Sequence, residues 1–187
     1  MARIRLSSGS KTERALGARL RRVLGRNKGH KAWEFTDDVL IDGGRISHSH
    51  PVLTIGAKST GVRTNDGLLS VYLHEQIHWF LSRHPVRLAR AILDLKARYP
   101  NVRVGSKDGG ARDEKSTYLH LLVCLLEYEA LLDILGGRAR QLLKSKPYYR
   151  WIYQSVLLDY GTIKGILVKN RLVPYHAEKR REDNELH

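Results

Sequence analysis

The sequence contains little cysteine, few aromatic side chains and no long apolar run. Cys124 is the only cysteine among 187 residues, so no internal disulfide can form, which favours a reducing compartment. No apolar stretch reaches the roughly 18 residues that a membrane-spanning helix needs. The amino terminus also lacks the apolar core of a secretory signal. We therefore expect a cytoplasmic protein that has no membrane partner.

Acidic residues are scarce as well. The chain has 33 Lys and Arg against 19 Asp and Glu, which gives a net charge of +14. Ten basic residues and a single acid, Glu13, fall within residues 1–31. Clustered positive charge attracts polyanions such as nucleic acid, although a solvated basic helix that only maintains solubility has the same composition. Both interpretations of this basic segment are kept open.

Hydrophobic spacing predicts a mostly helical chain with a short β segment. Residues 12–26 form an amphipathic pattern with arginines on its outer face and an apolar inner stripe made of Leu16, Leu20, Val23 and Leu24. Residues 39–41 and 52–55 are predicted strands, and the turn at residues 42–44 suggests an antiparallel hairpin. Further helices are predicted around residues 70–81, after Pro85, at 117–135 and at 148–159.

These elements predict an α+β, predominantly helical fold, in which a small antiparallel hairpin or sheet packs on the helix around residues 70–81. We expect a basic N-terminal segment at residues 1–31, one domain at 32–175 and a flexible charged tail at 176–187. The length suits a single domain with its own core.

The segment SVYLHEQIHWFL contains the pattern HExxH, formed by His74, Glu75 and His78. Residues four apart lie on one face of a helix, so the two histidines can hold a single metal ion. Glu75 lies beside them, where it can reach a water molecule. Apart from Glu75, no Asp, Glu, Lys or Arg occurs between Asp66 and Arg83. Two core histidines with a glutamate between them would give the same pattern, and this is the competing interpretation.

The motif and its uncharged neighbours resemble the zincin metallopeptidases. This resemblance implies a zinc ion (Zn²⁺) held by His74 and His78, with Glu75 as the general base that activates a zinc-bound water against a peptide bond. The glycine and third histidine of the metzincin branch are absent from WFLSRHPV. The sequence is therefore more similar to the gluzincins, in which a second helix supplies a glutamate ligand. At this length it would be a minimal catalytic domain.

The helix predicted at residues 117–135 offers two stripes for the third ligand. His120, Cys124 and Glu127 share one face, and Glu129 and Asp133 lie opposite. We favour Glu127, because an uncompensated charge on an apolar face is costly. Glu129 is the alternative, since YEALLD partly resembles the ligand-bearing segment of thermolysin-like gluzincins, in which Asp133 would orient a histidine. His120 is a further alternative.

The expected function is hydrolysis of a peptide or protein substrate by a zinc-dependent metallopeptidase. His120 is the expected donor to the oxyanion, and three tyrosines of PYYRWIYQ are alternatives: Tyr148, Tyr149 and Tyr153. SHSHPVLTIG corresponds by position to the strand that pairs with substrate in zincins. The alternative function is a basic nucleic-acid-associated protein with a structural or catalytically inactive zinc site.

Overall fold

The structure, a computed structural model, describes residues 2–174 and is mostly helical, at 61%, with a small three-stranded parallel sheet. The predicted α+β class is therefore confirmed. The predicted tail at residues 176–187 lies outside the described residues. The strands are β1 (Arg3–Leu6), β2 (Asp38–Asp42) and β3 (Leu53–Gly56). The helices are α1 (Lys11–Arg26), α2 (Asn65–Ser82), α3 (Pro85–Arg98), α4 (Glu114–Leu135), α5 (Arg138–Lys144), α6 (Arg150–Leu158) and α7 (Tyr160–Lys169).

Strand β1 and helix α1 form the first crossover of the sheet. β1 pairs in parallel with β2, with Ile4 opposite Val39 and Leu6 opposite Ile41, and parallel neighbours need a connection long enough to return the chain. Helix α1 is that connection. Its predicted apolar stripe is buried, as expected: Leu16, Leu20, Val23 and Leu24. Strand β1 was not predicted, although its four residues RIRL alternate basic and apolar side chains as a strand does, because so short an alternation is a weak signal.

The predicted antiparallel hairpin is wrong, because β2 and β3 pair in parallel, with Ile41 opposite Ile55. The chain turns after β2 and runs back, and His48 of this returning segment forms an antiparallel bridge with Thr54 of β3. The ten residues between the strands are enough for this return. Gly56 permits the close approach of the returning segment, because a side chain there would lie 2.2 Å from the Arg45 carbonyl oxygen.

The chain divides into two compact units. The first contains residues 2–80 and 127–146, with the sheet, α1, most of α2, the end of α4 and α5. Its core includes Trp33, Val39, Ile41, Leu53, Ile55 and Leu73. The second contains residues 81–126 and 147–174, and its core includes Ala91, Leu95, Leu121, Ile152, Val156 and Ile163. Within residues 2–174, no helix combines the length and apolar character needed to cross a membrane.

Candidate metal centre

Helix α2 carries the HExxH motif through the core of the first unit. Thr64 Oγ1 accepts a hydrogen bond from the Gly67 amide at 3.0 Å and so caps the first turn. Beyond this cap the helix is apolar on nearly all sides, and residues 68–77 are buried. Ser70, His74 and His78 follow one another at intervals of four residues, so they share a face. This face forms a polar stripe on a helix whose other buried polar side chains are Glu75 and Gln76.

The two motif histidines are close enough to share one ion. Their ring centroids lie 5.0 Å apart with the ring planes at 67°. Ligand atoms of His74 lie within 4.8 Å of those of His78 and of Glu127. The first unit therefore contains two pairs of possible ligands that share one member, His74 with His78 and His74 with Glu127. Cys124, one helical turn before Glu127 on α4, is buried.

Glu127 connects α4 to this polar stripe. Its Oε2 lies 3.0 Å from His74 Nδ1, and its Oε1 lies 2.5 Å from Lys146 Nζ. Ser70 Oγ donates to the same Oε1 atom, and Lys146 Nζ lies 2.5 Å from Ser70 Oγ. The Glu127 side chain has no exposed surface, and that of Lys146 is 6% exposed. The Glu127 carboxylate and the Lys146 ammonium thus form a buried ion pair, and Ser70 and His74 are further hydrogen-bond partners of the carboxylate.

The ionisation of Glu127 determines which nitrogen of His74 carries the proton. Burial alone would raise the pKa of Glu127, but the charge of Lys146 and the hydrogen bond from His74 outweigh it, and the pKa is well below its usual range. An ionised carboxylate can only accept hydrogen bonds, so His74 must donate from Nδ1. In the neutral ring the lone pair is then on Nε2. Metal-ligating histidines have this arrangement, with a carboxylate or carbonyl on the other ring nitrogen.

Glu75 is buried next to this network. Burial raises its pKa and the charge of Glu127 adds to the effect, while His74, His48 and Lys146 lower it. The raised pKa and the several charged or titratable neighbours are typical of a carboxyl that exchanges protons during a reaction. The proximity of His48 also places the segment before β3 near the motif.

His120 lies on α4 in the second unit. Its Nδ1 lies 2.7 Å from the Ser116 carbonyl oxygen, and the Tyr149 ring lies 4.5 Å from it between centroids. A carbonyl can only accept, so Nδ1 carries a proton, and in the neutral ring Nε2 is an acceptor. This form suits a metal ligand. Donation to an oxyanion, the role expected from the sequence, requires a second proton on the ring.

The opposite stripe of α4 is partly exposed. Glu129 is half-buried. Asp133 accepts a hydrogen bond from the Trp33 indole at 3.2 Å, whereas the resemblance to thermolysin-like enzymes implied that it would orient a histidine. Both residues belong to the first unit. Among the alternative oxyanion donors, Tyr153 is buried and Tyr148 is half-buried.

Three residues of the site were not found from the sequence. Ser70 carries a signal that could have identified it, since it is a polar residue four positions before His74 on an apolar helix. His48 lies in SHSHPVLTIG, where the sequence favours a polar shoulder of the predicted hairpin over metal binding. Lys146 carries no signal, because in QLLKSKP it looks like a second solvated lysine beside Lys144. Only the tertiary structure brings its ammonium to Glu127.

Comparison with known proteins gives no match: no family model fits the sequence, and no curated protein or solved structure matches the chain.

Proposed function

We propose that this chain is a zinc-dependent metallopeptidase, a hydrolase that acts on a peptide or protein substrate. One observation carries the proposal. In the HExxH helix, His74 Nδ1 is hydrogen-bonded to the buried carboxylate of Glu127, which leaves Nε2 as the acceptor of the neutral ring. Two histidines that only fill the core would not need a buried carboxylate such as Glu127. This carboxylate in turn needs the buried ammonium of Lys146 to compensate its charge.

The residues divide into those that hold zinc and one that moves a proton. His74 and His78 are the proposed ligands, and α4 supplies the third. When bound, zinc supplies Lewis acidity that lowers the pKa of a coordinated water to roughly 7. Glu75 takes a proton from the attacking water at its carboxylate and later delivers a proton to the nitrogen of the leaving amine. The raised pKa of Glu75 supports this role, because a base whose pKa lies nearer neutrality can both accept and return a proton.

The third ligand is one of three side chains on α4. Glu127 is the ligand favoured by the sequence, and it would have to bind zinc while keeping or exchanging its bonds to His74, Ser70 and Lys146. His120 has its Nδ1 bonded to a backbone carbonyl, as metal-ligating histidines commonly do. Glu129 remains the third candidate.

Metal content measured by elemental mass spectrometry tests the proposal. We expect about one zinc per wild-type chain, since a catalytic site holds a single ion through three protein ligands. His74→Ala should lose it. His50→Ala, which removes an exposed histidine of the same unit, should keep it. Loss of the metal from His120→Ala or Glu129→Ala identifies that residue as the third ligand, and Glu127 is the third ligand if both of these variants keep zinc while Glu127→Ala loses it. Absence of zinc from the wild type, even after reconstitution, would overturn the proposal.

A second candidate function has its own supporting observation. Helix α1 exposes a row of cations: Lys11, Arg14, Arg21, Arg22 and Arg26. Beside its end, a groove of about 210 Å³ has Ile4 and Leu24 among its lining residues and three cations around them, Arg21, Lys28 and Lys31. The alternative is therefore a basic nucleic-acid-associated protein whose zinc site is structural or inactive. A peptidase held on a polyanion would combine both functions.

A further inference from the structure

The carboxylate of Glu127 has more hydrogen-bond donors than charge neutralisation requires. Lys146 Nζ and Ser70 Oγ both approach Oε1, and Lys146 Nζ also lies 2.5 Å from Ser70 Oγ. His74 is the donor to Oε2, at 3.0 Å. Ser70 and Glu127 have no exposed surface. Oε1 therefore accepts from Lys146 and Ser70, and Oε2 accepts from His74.

The positions of these side chains are fixed by the backbone that carries them. Ser70 lies one turn before His74 on the same face of α2. Lys146 follows α5, and its amide donates to the Leu143 carbonyl at 3.2 Å. Glu127 lies within α4. Three separate elements therefore meet at one carboxylate, and a buried carboxylate and ammonium that lost one partner would be strongly destabilised.

We propose that Lys146 and Ser70 are positioning residues for the metal centre, which hold Glu127 Oε1 so that Oε2 stays on His74 Nδ1 and keeps Nε2 for the metal. This inference rests on the proposed zinc site, because the tautomer of His74 matters only if its ring binds the metal. The effect of Lys146 and Ser70 on that tautomer does not itself require zinc. Lys146 and Ser70, which lie outside the HExxH motif, thus have the same role of orienting the Glu127 carboxylate. Glu127 acts here through His74, whether or not it also reaches the ion.

The direct test is the tautomer of His74 in the metal-free full-length protein. Long-range ¹H–¹⁵N spectra distinguish a ring protonated on Nδ1 from one protonated on Nε2. In the wild type we expect His74 to be in the Nδ1–H form. Lys146→Met removes the ammonium and keeps much of the aliphatic stem, and it should give a mixture of forms, as should Ser70→Ala. Lys144→Met makes the same change at an exposed lysine two positions away and should leave the spectrum unchanged.

Zinc affinity gives the second readout. Loss of a residue that orients a metal ligand typically weakens metal binding about 10–100-fold, and we expect a change of this size in Lys146→Met and Ser70→Ala. Lys146→Arg should recover most of the affinity. In a Glu127→Gln background, Lys146→Met should add little, because its effect passes through that carboxylate. Circular dichroism confirms that each variant is folded, and Ser70→Ala serves if Lys146→Met is not.

The outcomes separate this inference from the proposed function. An unchanged His74 tautomer and a zinc Kd within about twofold of the wild type in folded Lys146→Met and Ser70→Ala would overturn the inference while leaving the zinc site intact. A wild type that binds no zinc would overturn the proposed function, and with it the purpose assigned to Lys146 and Ser70. A wild-type His74 protonated on Nε2 would overturn the inference directly.

Discussion

Glu75 differs from the other acids near the motif in the direction of its pKa shift. Burial raises the pKa of Glu75, while Lys146 and His74 keep Glu127 ionised. The pKa values of these two carboxyl groups, which lie in one unit, are therefore shifted in opposite directions. This is the arrangement expected when one acid exchanges a proton and the other is a fixed charge. The proposal that Glu75 is the general base therefore rests on the environment of its carboxyl group as well as on its position in the motif.

Replacing Glu75 with glutamine should abolish hydrolysis without releasing zinc. Glutamine has the same shape but cannot accept the proton, and a general base typically contributes about 10²–10⁴-fold to the rate. We expect a fall of that size in kcat against a labelled unstructured protein substrate, with zinc content unchanged. Glu114→Gln, at an exposed position of α4, is the matched control. Wild-type turnover by Glu75→Gln with zinc bound would rule out its role as base.

The sequence predicted that the two motif histidines lie close together, which the structure shows, whereas their role as metal ligands stays a prediction. His74 and His78 follow from helical spacing alone, and a burial argument selected Glu127 from the acids of α4. The same spacing would have identified Ser70. Lys146 could not be found in this way, because its contact with Glu127 depends on how the segment after α5 is placed against α4, which no periodicity encodes.

At the scale of elements, Glu13 joins β1, α1 and the end of β2. Its carboxylate accepts from the amides of Ser8 and Gly9, each at 2.8 Å, and from the Gly43 amide at 3.0 Å. The side chain lies in the first turn of α1, where Ser10 Oγ accepts from the Glu13 amide at 3.2 Å. One ionised group thus satisfies three backbone donors from separate parts of the crossover. Glu13 is the one acidic residue among residues 1–31, and its role in the structure is to accept these backbone hydrogen bonds.

Glu13→Gln should therefore lower stability in a pH-dependent way. The hydrogen bonds from Gly43 and Ser8 are the main causes that lower the pKa of Glu13 from 4.5 to about 2. Because the folded-state pKa is depressed, its contribution is fully present above pH 4.5 and is lost as pH falls towards 2. We expect the variant to melt several degrees below the wild type at pH 7. The gap should narrow as the pH is lowered through this window.

Thermal melts followed by circular dichroism at several pH values between 7 and 2.5 measure this gap. Glu114→Gln, whose carboxylate pairs on the surface with Lys96 at 3.0 Å, is the control and should show little change at any pH. A constant difference between the Glu13→Gln and wild-type melting temperatures across the range would mean that ionisation of Glu13 does not stabilise the fold.

The elements themselves were predicted more accurately than their pairing. Apolar periodicity placed α1 and α4 closely, since both bury continuous stripes. The direction of β3 could not be inferred, because the turn at residues 42–44 is compatible with either a hairpin or a longer return. On α3 the apolar spacing does not identify the buried face: Val86 and Leu93 are exposed, whereas Ala91 and Leu95 are fully buried. On a short helix with several apolar residues, two neighbouring registers satisfy the pattern nearly equally.

At the scale of the whole molecule, the net charge of +14 is concentrated near α1. Helix α1 buries Leu20 and connects the paired strands β1 and β2. Deleting residues 1–31 would therefore remove part of the core of the first unit. The basic surface must therefore be tested by substitution of exposed side chains. Arg22, Arg26 and Lys28 are suitable, because all three are exposed.

The triple variant Arg22→Gln, Arg26→Gln and Lys28→Gln should bind double-stranded DNA more weakly and with less salt dependence. Each cation that neutralises a phosphate contributes about 0.9 to the slope of log K against log salt. We therefore expect the slope to fall by up to about 2–3. Fluorescence anisotropy of a labelled duplex at several salt concentrations measures it, and zinc content should not change.

A second triple variant separates a specific surface from net charge alone. Arg90→Gln, Arg140→Gln and Lys144→Gln removes the same types of side chain from exposed positions outside residues 1–31. If α1 is the binding surface, this control should keep most of the wild-type slope, because phosphate contacts are local and distant charges are screened within about 10 Å at 0.1 M salt. Equal losses in the two triple variants would show that binding follows net charge and that α1 forms no particular interface. The nucleic-acid interpretation would then lose its structural basis, whereas the zinc site would be unaffected.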